Sequence, residues 1–228
     1  MNKKQVRTAV LWTALFLSAA LAASAILARN DLALSQWAQH LPRAHDNLTV
    51  WWFVENYGEI PTWTVIGLAS AAYGLSFRAG RWKRFRPALL FLLLTELIGP
   101  GLINLSLKYT INRPRPGNGL GFFPLFATGP VRTDNGFPSG HTASAFVLLA
   151  LAYLIPRSKP VLRRLAAVCF LAWGLVVAAS RVIWGVHYPT DVLFGALITV
   201  AVEYVLWAGW FRKRIEGVDT PPPASNLT

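Results

Sequence analysis

The sequence predicts an all-α membrane protein, a bundle of six transmembrane helices. Of its 228 residues, 54% are hydrophobic, and only 14% are charged. Six apolar runs approach the ~20 residues that a helix needs to cross a bilayer. Basic residues collect in every second loop between these runs, as expected of loops on the cytoplasmic side. Hydropathy therefore overrules a single soluble domain, which the length alone would allow.

The six predicted spans have similar lengths, with one exception. They cover residues 8–28, 60–77, 88–107, 142–155, 162–179 and 192–211. The fourth is short, so its helix has to extend back into the segment Pro138–His141. Lys3 and Lys4 precede the first span and Ala-Ser-Ala occupies residues 23–25 within it, which also fits a cleaved signal peptide. The length of the run favours a retained anchor.

The net charge of +12 is explained by membrane topology, and no nucleic-acid partner is expected. Fifteen of the 22 Lys and Arg residues lie in alternate loops or at the N-terminus: Lys3, Lys4, Arg7, Arg78, Arg81, Lys83, Arg84, Arg86, Arg157, Lys159, Arg163, Arg164, Arg212, Lys213 and Arg214. The pattern predicts an inner-membrane protein with both termini in the cytoplasm. Most other cations fall in or near three outward segments.

The single cysteine excludes disulfide frameworks and cysteine-rich metal sites.

Two regions lie outside the predicted spans, the first outward loop and the C-terminal tail. Residues 29–59 form the first outward loop, where Leu34, Trp37 and Leu41 recur at helical spacing and Trp51 and Trp52 follow. We expect helices lying on the outer leaflet there, serving either lipid entry or simple anchoring. Residues 1–215 form one predicted domain. The tail, 216–228, has too little apolar content to bury and is expected to be disordered.

Three separated segments bring cations, histidines and an aspartate to the outward face: Lys108–Pro116, Pro138–His141 and Ser180–Asp191. Phosphoryl transfer depends on positioning and on stabilising negative charge on three oxygens. Pro114 and Pro116 are expected to end the third helix and to leave Arg115 on a rigid turn.

The second segment suits the start of a helix. Pro138 fits the first position of the fourth helix, where Ser139 and Gly140 would offer a hydroxyl and free backbone N–H groups to an anion.

The third segment pairs a histidine with a carboxylate. Asp191 follows His187 by four residues, and Pro189 between them is expected to open the sixth helix. A carboxylate at this spacing can hold one ring nitrogen and leave the other for attack. A metal site is the alternative use of such residues, but phosphate-handling metal sites rely on several carboxylates. We therefore expect no metal and no cofactor.

The order and spacing of these segments resemble the type 2 phosphatidic acid phosphatase family. That family shares its site with class A acid phosphatases and vanadium haloperoxidases. Its signature is Lys, six residues, Arg-Pro; Pro-Ser-Gly-His; and Ser-Arg, five residues, His, three residues, Asp. Residues 108–191 match it without a gap.

The resemblance implies a role for each matched residue. His187 is the nucleophile that forms a phosphohistidine, Asp191 orients it, and His141 is the general acid and later the base for water. The implied phosphate ligands are Lys108, Arg115, Ser139, Gly140 and Arg181. The implied activity is hydrolysis of a lipid phosphate on the periplasmic face. Candidate substrates are undecaprenyl pyrophosphate, phosphatidylglycerol phosphate, phosphatidic acid and lipid A phosphates.

Three other functions compete with lipid phosphate hydrolysis. A phosphotransferase would use the same phosphohistidine, and the sequence does not separate it from a hydrolase. A lipid transporter would explain the outward cations, yet the chain has no internal repeat and transport needs no His–Asp pair. A haloperoxidase would use the same residues, but that activity is associated with soluble members of the superfamily.

A few ionisable residues lie outside the matched pattern. Arg113, Arg132 and Asp134 flank the motifs, where they would read the rest of a headgroup or pair with each other. Glu96 and Glu203 fall inside predicted spans, and for both we favour a carboxyl bonded between helices over a proton or substrate pathway. The sequence does not predict an oligomeric state.

Overall fold

The computed structural model describes residues 3–41, 50–116 and 135–216. Nearly all of these residues are helical, and a single antiparallel bridge joins Pro114 to Asn135. The α-helices of this described part are α1 Lys3–Gln39, α2 Val50–Tyr57, α3 Ile60–Arg78, α4 Arg86–Glu96, α5 Leu105–Ile111, α6 Gly140–Val147, α7 Ala150–Leu154, α8 Pro160–Ile183, α9 Pro189–Leu206 and α10 Arg212–Glu216.

The helices follow the predicted spans. Within the described ranges, three continuous helical stretches are long and apolar enough to cross a membrane: Gly80–Ile111, Pro160–Ile183 and Pro189–Ile215. The other predicted spans coincide with α1, α3 and the short apolar stretch Gly140–Leu154. The fourth helix reaches back into the second motif segment, as its short apolar run required. Most of the predicted tail, 217–228, lies outside the described residues.

The first helix is longer than predicted. It continues to Gln39, so residues 31–39 belong to α1 instead of forming a separate helix on the outer leaflet. No proline or glycine interrupts this stretch, and the Asn30 side chain donates back to the carbonyl of Ile26 at 2.8 Å. The extension carries Asp31 to the level of the motif segments. The short helix α2 then holds Trp51 and Trp52.

The third span is one continuous helical stretch with a π-helical segment inside it. A π-helical stretch, Leu97–Asn104, contains Pro100 and joins α4 to α5. Proline lacks the backbone donor of a regular turn, and a wider turn accommodates that loss. The helix ends at Asn112, which adopts a left-handed conformation with φ of 54°. The termination therefore comes two residues before Pro114, the residue predicted to cause it.

Helix α6 lies at the centre of the bundle. Every residue of α6 from Thr142 to Val147 is buried, mainly against α8 and α9. Gly195 of α9 makes this close packing possible, since a Cβ atom there would lie 2.5 Å from the carbonyl oxygen of Ser139. The start of α6, which carries the second motif segment, is thus held directly against α9.

A hydrophobic core fills the end of the bundle away from the motifs. It is built from residues of α3, α4, α7, α9 and the π-helical turn Trp207–Phe211, with Phe91 fully buried at its centre. Arg163 lies over the rings of Tyr153 and Trp207 at this end. Arg163, one of the basic loop residues, thus lies at the end of the bundle that is away from the motif segments.

Candidate active site

The three motif segments converge where α5 ends, α6 begins and α8 connects to α9. The Lys108 ammonium donates to the carbonyl of Asn135 at 3.0 Å, and the Asn135 amide donates to the carbonyl of Lys108 at 3.1 Å. These bonds join the first segment to the residues that lead into the second. His141 lies within the electrostatic field of Arg181, His187, Arg115 and Lys108. The structure thus brings together residues from all three segments.

The His187–Asp191 pair forms at the start of α9. Pro189 is the first residue of the helix, as predicted, and Asp191 lies in its first turn. The Asp191 carboxylate accepts a hydrogen bond from the backbone N–H of Tyr188 at 2.8 Å. The same oxygen, Oδ2, faces His187 Nδ1 at 3.6 Å, which is an electrostatic contact longer than a hydrogen bond. Nε2 is therefore the His187 nitrogen that is not directed at the carboxylate.

His187 is almost completely buried, with 1% of its surface exposed. Burial lowers its pKa to about 4, aided by the charges of Arg181 and Lys108 and opposed by Asp191. A base with a lowered pKa is neutral at every pH well above that value. The imidazole therefore carries a free lone pair at neutral pH, as a nucleophile requires.

This protonation state can be measured directly. In ¹⁵N-histidine-labelled protein in detergent, we expect the His187 ring to keep the shifts of a neutral imidazole at pH 6 and to protonate only near pH 4. The spectrum of His187→Gln identifies the signal. A His187 ring that is already protonated at pH 6 would contradict the burial argument.

A buried ion-pair network lies behind Asp191. The Arg113 guanidinium donates to Asp191 Oδ1 at 2.6 Å and to Asp31 Oδ2 at 2.8 Å, and all three side chains are fully buried. Arg113 also donates to the Thr190 hydroxyl at 2.8 Å and stacks 4.0 Å from the centre of the Tyr188 ring. Asp31 accepts from the Thr190 backbone N–H at 3.0 Å.

This network corrects the expected role of Arg113. It does not read a headgroup, because its guanidinium is enclosed between α1 and α9. The antiparallel bridge and the bond from Gly136 N–H to the Arg113 carbonyl, 2.6 Å, hold its backbone in place. Arg113 therefore fixes Asp191, which in turn faces the histidine. Arg132 and Asp134, the other flanking residues, lie outside the described residues.

Two arginines leave donors without partners in the site. Among the residues that the structure describes, the buried Nε atoms of Arg115 and Arg181 make no hydrogen bond. A buried unsatisfied donor costs free energy, so each calls for an explanation. Together with Lys108, these guanidinium groups supply the positive charge and the spare donors that a phosphate group needs.

Arg181 also has an acidic partner that the sequence reasoning missed. It forms an ion pair with Glu55 of α2, whose second carboxylate oxygen has no hydrogen-bond partner within the described part of the chain. Burial raises the pKa of Glu55, and the charge of Arg181 opposes this increase. Glu55 thus orients Arg181 through this ion pair.

The second segment departs from the predicted geometry. Helix α6 begins at Gly140, and Ser139 is its N-cap, so Pro138 lies before the helix and not at its first position. The Ser139 hydroxyl accepts from Thr142 N–H at 3.4 Å, while its own backbone N–H donates to the carbonyl of Asp191 at 2.9 Å. Ser139 is fully buried. Its N–H is thus not free for an anion, because it ties α6 to α9.

A second histidine–carboxylate pair lies beside the first. His141 Nδ1 is 3.4 Å from Glu59 Oε1, where the chain enters α3. The sequence offered one signal for Glu55 and Glu59: both are acidic residues in an outward loop, four positions apart. The matched motif begins at Lys108, so it gives no signal for either residue.

The additional carboxylates do not assemble a metal site in the part of the chain that the structure describes. There, no group of three or more His, Cys, Asp or Glu side chains has the arrangement to hold an ion. Asp31, Glu55 and Glu59 instead contact Arg113, Arg181 and His141, respectively.

The two glutamates inside the spans have different surroundings. Glu96 accepts a hydrogen bond from the hydroxyl of Ser144 at 3.2 Å, which joins the third span to α6. This contact agrees with a carboxyl bonded between helices. Glu203 of α9 is fully buried, and within the described residues neither of its carboxylate oxygens makes a hydrogen bond, so the expected bond between helices is found for Glu96 and not for Glu203.

Comparison with known proteins places these features in a family. The model of the PAP2 superfamily matches residues 88–215, more than half of the chain. Phosphatidylglycerophosphatase B of Escherichia coli K12 is 40% identical over 96 residues, 41% of this chain and 35% of that protein. Lipid A 4'-phosphatase of Rhizobium leguminosarum is 34% identical over 144 residues, 60% of this chain and 59% of that protein. The chain thus spans between a third and three fifths of these relatives.

A solved structure supports the fold. The crystal structure of the first transmembrane PAP2-type phosphatidylglycerolphosphate phosphatase from Bacillus subtilis superposes with a TM-score of 0.51 at 22% identity. The match covers 84% of this chain and 94% of that one. The likeness extends over the helical bundle and shows that this chain has the same fold. The chain is an integral membrane protein and belongs to the PAP2 superfamily.

Proposed function

We propose that this protein hydrolyses the phosphate ester or pyrophosphate of a membrane lipid through a phosphohistidine on His187. The observation that carries the proposal is a buried, neutral histidine beside a carboxylate, facing a cluster of cations at the ends of membrane-spanning helices. The named relatives, phosphatidylglycerophosphatase B and lipid A 4'-phosphatase, agree with a lipid phosphate as substrate.

The proposed reaction has two steps. His187 Nε2 attacks phosphorus while Lys108, Arg115 and Arg181 stabilise the charge on the phosphoryl oxygens. The bond to the lipid oxygen breaks, and this oxygen takes a proton from His141. Water then gives a proton to His141 and attacks phosphorus, which breaks the N–P bond and releases phosphate. Asp191, held by Arg113, stabilises the charge that develops on His187.

The test is phosphate release by the purified protein from a panel of lipid phosphates in detergent, in the presence of EDTA. The panel contains phosphatidylglycerol phosphate, lipid A, undecaprenyl pyrophosphate and phosphatidic acid, since the site does not select among them. We expect release from at least one lipid to survive EDTA, because cationic side chains take the place of a metal. Loss of release in EDTA alone would overturn the metal-free mechanism. Release only after addition of an acceptor lipid would indicate a phosphotransferase.

The loop charges support a reaction on the periplasmic face of the inner membrane, with both termini in the cytoplasm. A reporter that is active only in the periplasm should stay inactive when fused after Arg214. The same reporter fused after Leu41, in the first outward loop, should be active and serves as the control. Strong activity from the first fusion would reverse the orientation.

A further inference from the structure

Glu59 lies where it can act on the proposed general acid. Its Oε1 is 3.4 Å from His141 Nδ1, and its Oε2 accepts from the indole N–H of Trp63 at 3.5 Å. The two oxygens of this carboxylate thus have separate partners. Glu59 and His141 are partly exposed, with 25% and 36% of their side-chain surfaces accessible, so the pair borders the open side of the site.

The packing of α3 against α6 sets this contact. The Thr62 hydroxyl donates to the carbonyl of Ser144 at 3.0 Å, three residues further along both helices than the Glu59–His141 contact. The two contacts therefore share one parallel register of α3 and α6. Gly58, just before Glu59, allows the tight turn between α2 and α3, because a Cβ atom there would lie 2.5 Å from the carbonyl oxygen of Val54 and 3.1 Å from the Val177 side chain of α8.

The surroundings of His141 make it hard for the ring to hold a proton, so a carboxylate partner matters there. Burial disfavours a positive charge on the ring, and the charges of Arg181, Arg115 and Lys108 oppose it further. Glu55 of α2, a second nearby carboxylate, is engaged with Arg181. A general acid has to carry its proton at the moment that the lipid oxygen leaves. Within the described residues, Glu59 is the carboxylate in contact with His141.

We infer that Glu59 is a positioning residue for His141: it holds the Nδ1 proton and directs Nε2 toward the leaving lipid oxygen. The inference rests on the proposed function. Glu59 exchanges no proton with the substrate; the proton that the leaving oxygen gains comes from His141 Nε2, and water restores it in the second step. The site then contains two histidine–carboxylate pairs, Asp191 for the nucleophile and Glu59 for the acid.

The test compares two substrates with the same lipid tail and different leaving groups. When phosphatidic acid is attacked, the leaving group is the alkoxide of diacylglycerol, which needs a proton. When diacylglycerol pyrophosphate is attacked at its terminal phosphorus, the leaving group is phosphatidate, whose phosphate oxygen is a much weaker base. For Glu59→Gln, we expect kcat/KM to fall roughly 10- to 100-fold on phosphatidic acid. On the pyrophosphate we expect it to change by less than about 3-fold, since that leaving group depends little on an acid.

A double variant separates positioning from a general structural effect. If Glu59 acts through His141, Glu59→Gln/His141→Ala should hydrolyse phosphatidic acid no more slowly than His141→Ala alone. Equal losses on both substrates, or additive losses in the double variant, would overturn the inference while leaving the proposed function intact. A folded wild-type protein that releases phosphate from no lipid would instead overturn the proposed function, and this inference with it.

Discussion

Replacing His187 with alanine is expected to lower phosphate release by about 10³-fold or more, as removal of a catalytic nucleophile does in other enzymes. The remaining cations would still bind the lipid phosphate, so the loss should appear in kcat rather than in KM. The measurement is steady-state phosphate release by purified protein on the best lipid of the panel.

His40→Ala is the matched control for this loss. His40 lies just after the last residue of α1, where its ring contacts the carbonyl of Gln36 at 2.6 Å and remains exposed. Its replacement should leave the rate unchanged. A His187→Ala protein with wild-type release would remove the nucleophile from the mechanism.

Replacing Arg113 with alanine should lower the midpoint of thermal unfolding in detergent by roughly 10 °C. The variant leaves two carboxylates, Asp31 and Asp191, buried without their counter-ion. Breaking a buried ion pair from one side costs about 3–5 kcal/mol, and each kcal/mol shifts the midpoint by about 2–4 °C in a protein of this size. Activity should fall as well, since Asp191 loses the group that fixes it.

Arg29→Ala is the control variant, because it also removes one arginine. Arg29 is exposed on α1, two residues before Asp31, and its removal should shift the midpoint by no more than about 2 °C, as is usual for surface substitutions. If Arg113→Ala unfolds within the same margin, the network does not hold α1 against α9.

The spans and the three motif segments could be predicted from the sequence because their signals lie within short stretches of the chain. Apolar runs and a proline at the start of α9 depend on neighbouring residues only. The same locality explains the errors at helix ends: Asn112 ends α5 before the proline expected to do so, and Ser139 caps α6 with its hydroxyl. A terminus depends on which backbone groups find partners, and the partner of Ser139 N–H lies 52 positions away in Asp191.

The acidic half of the site was not predictable in this way. Asp31 contacts Arg113 across 82 positions and Thr190 across 159. Glu59 and His141 meet through the register of α3 on α6. No spacing rule connects such residues, so only the packed bundle reveals that the charges on Arg113 and Arg181 are each balanced by a carboxylate from the N-terminal third of the chain.

The central claim, covalent catalysis by His187, is tested most directly by trapping the intermediate. Wild-type protein is mixed with a ³²P-labelled lipid phosphate and quenched in alkali during turnover, and the labelled peptide is then identified by mass spectrometry. The account predicts an acid-labile, alkali-stable phosphoryl group on the peptide that contains His187, and no such label in His187→Ala. Turnover without any labelled histidine, or label on His141 instead, would contradict it.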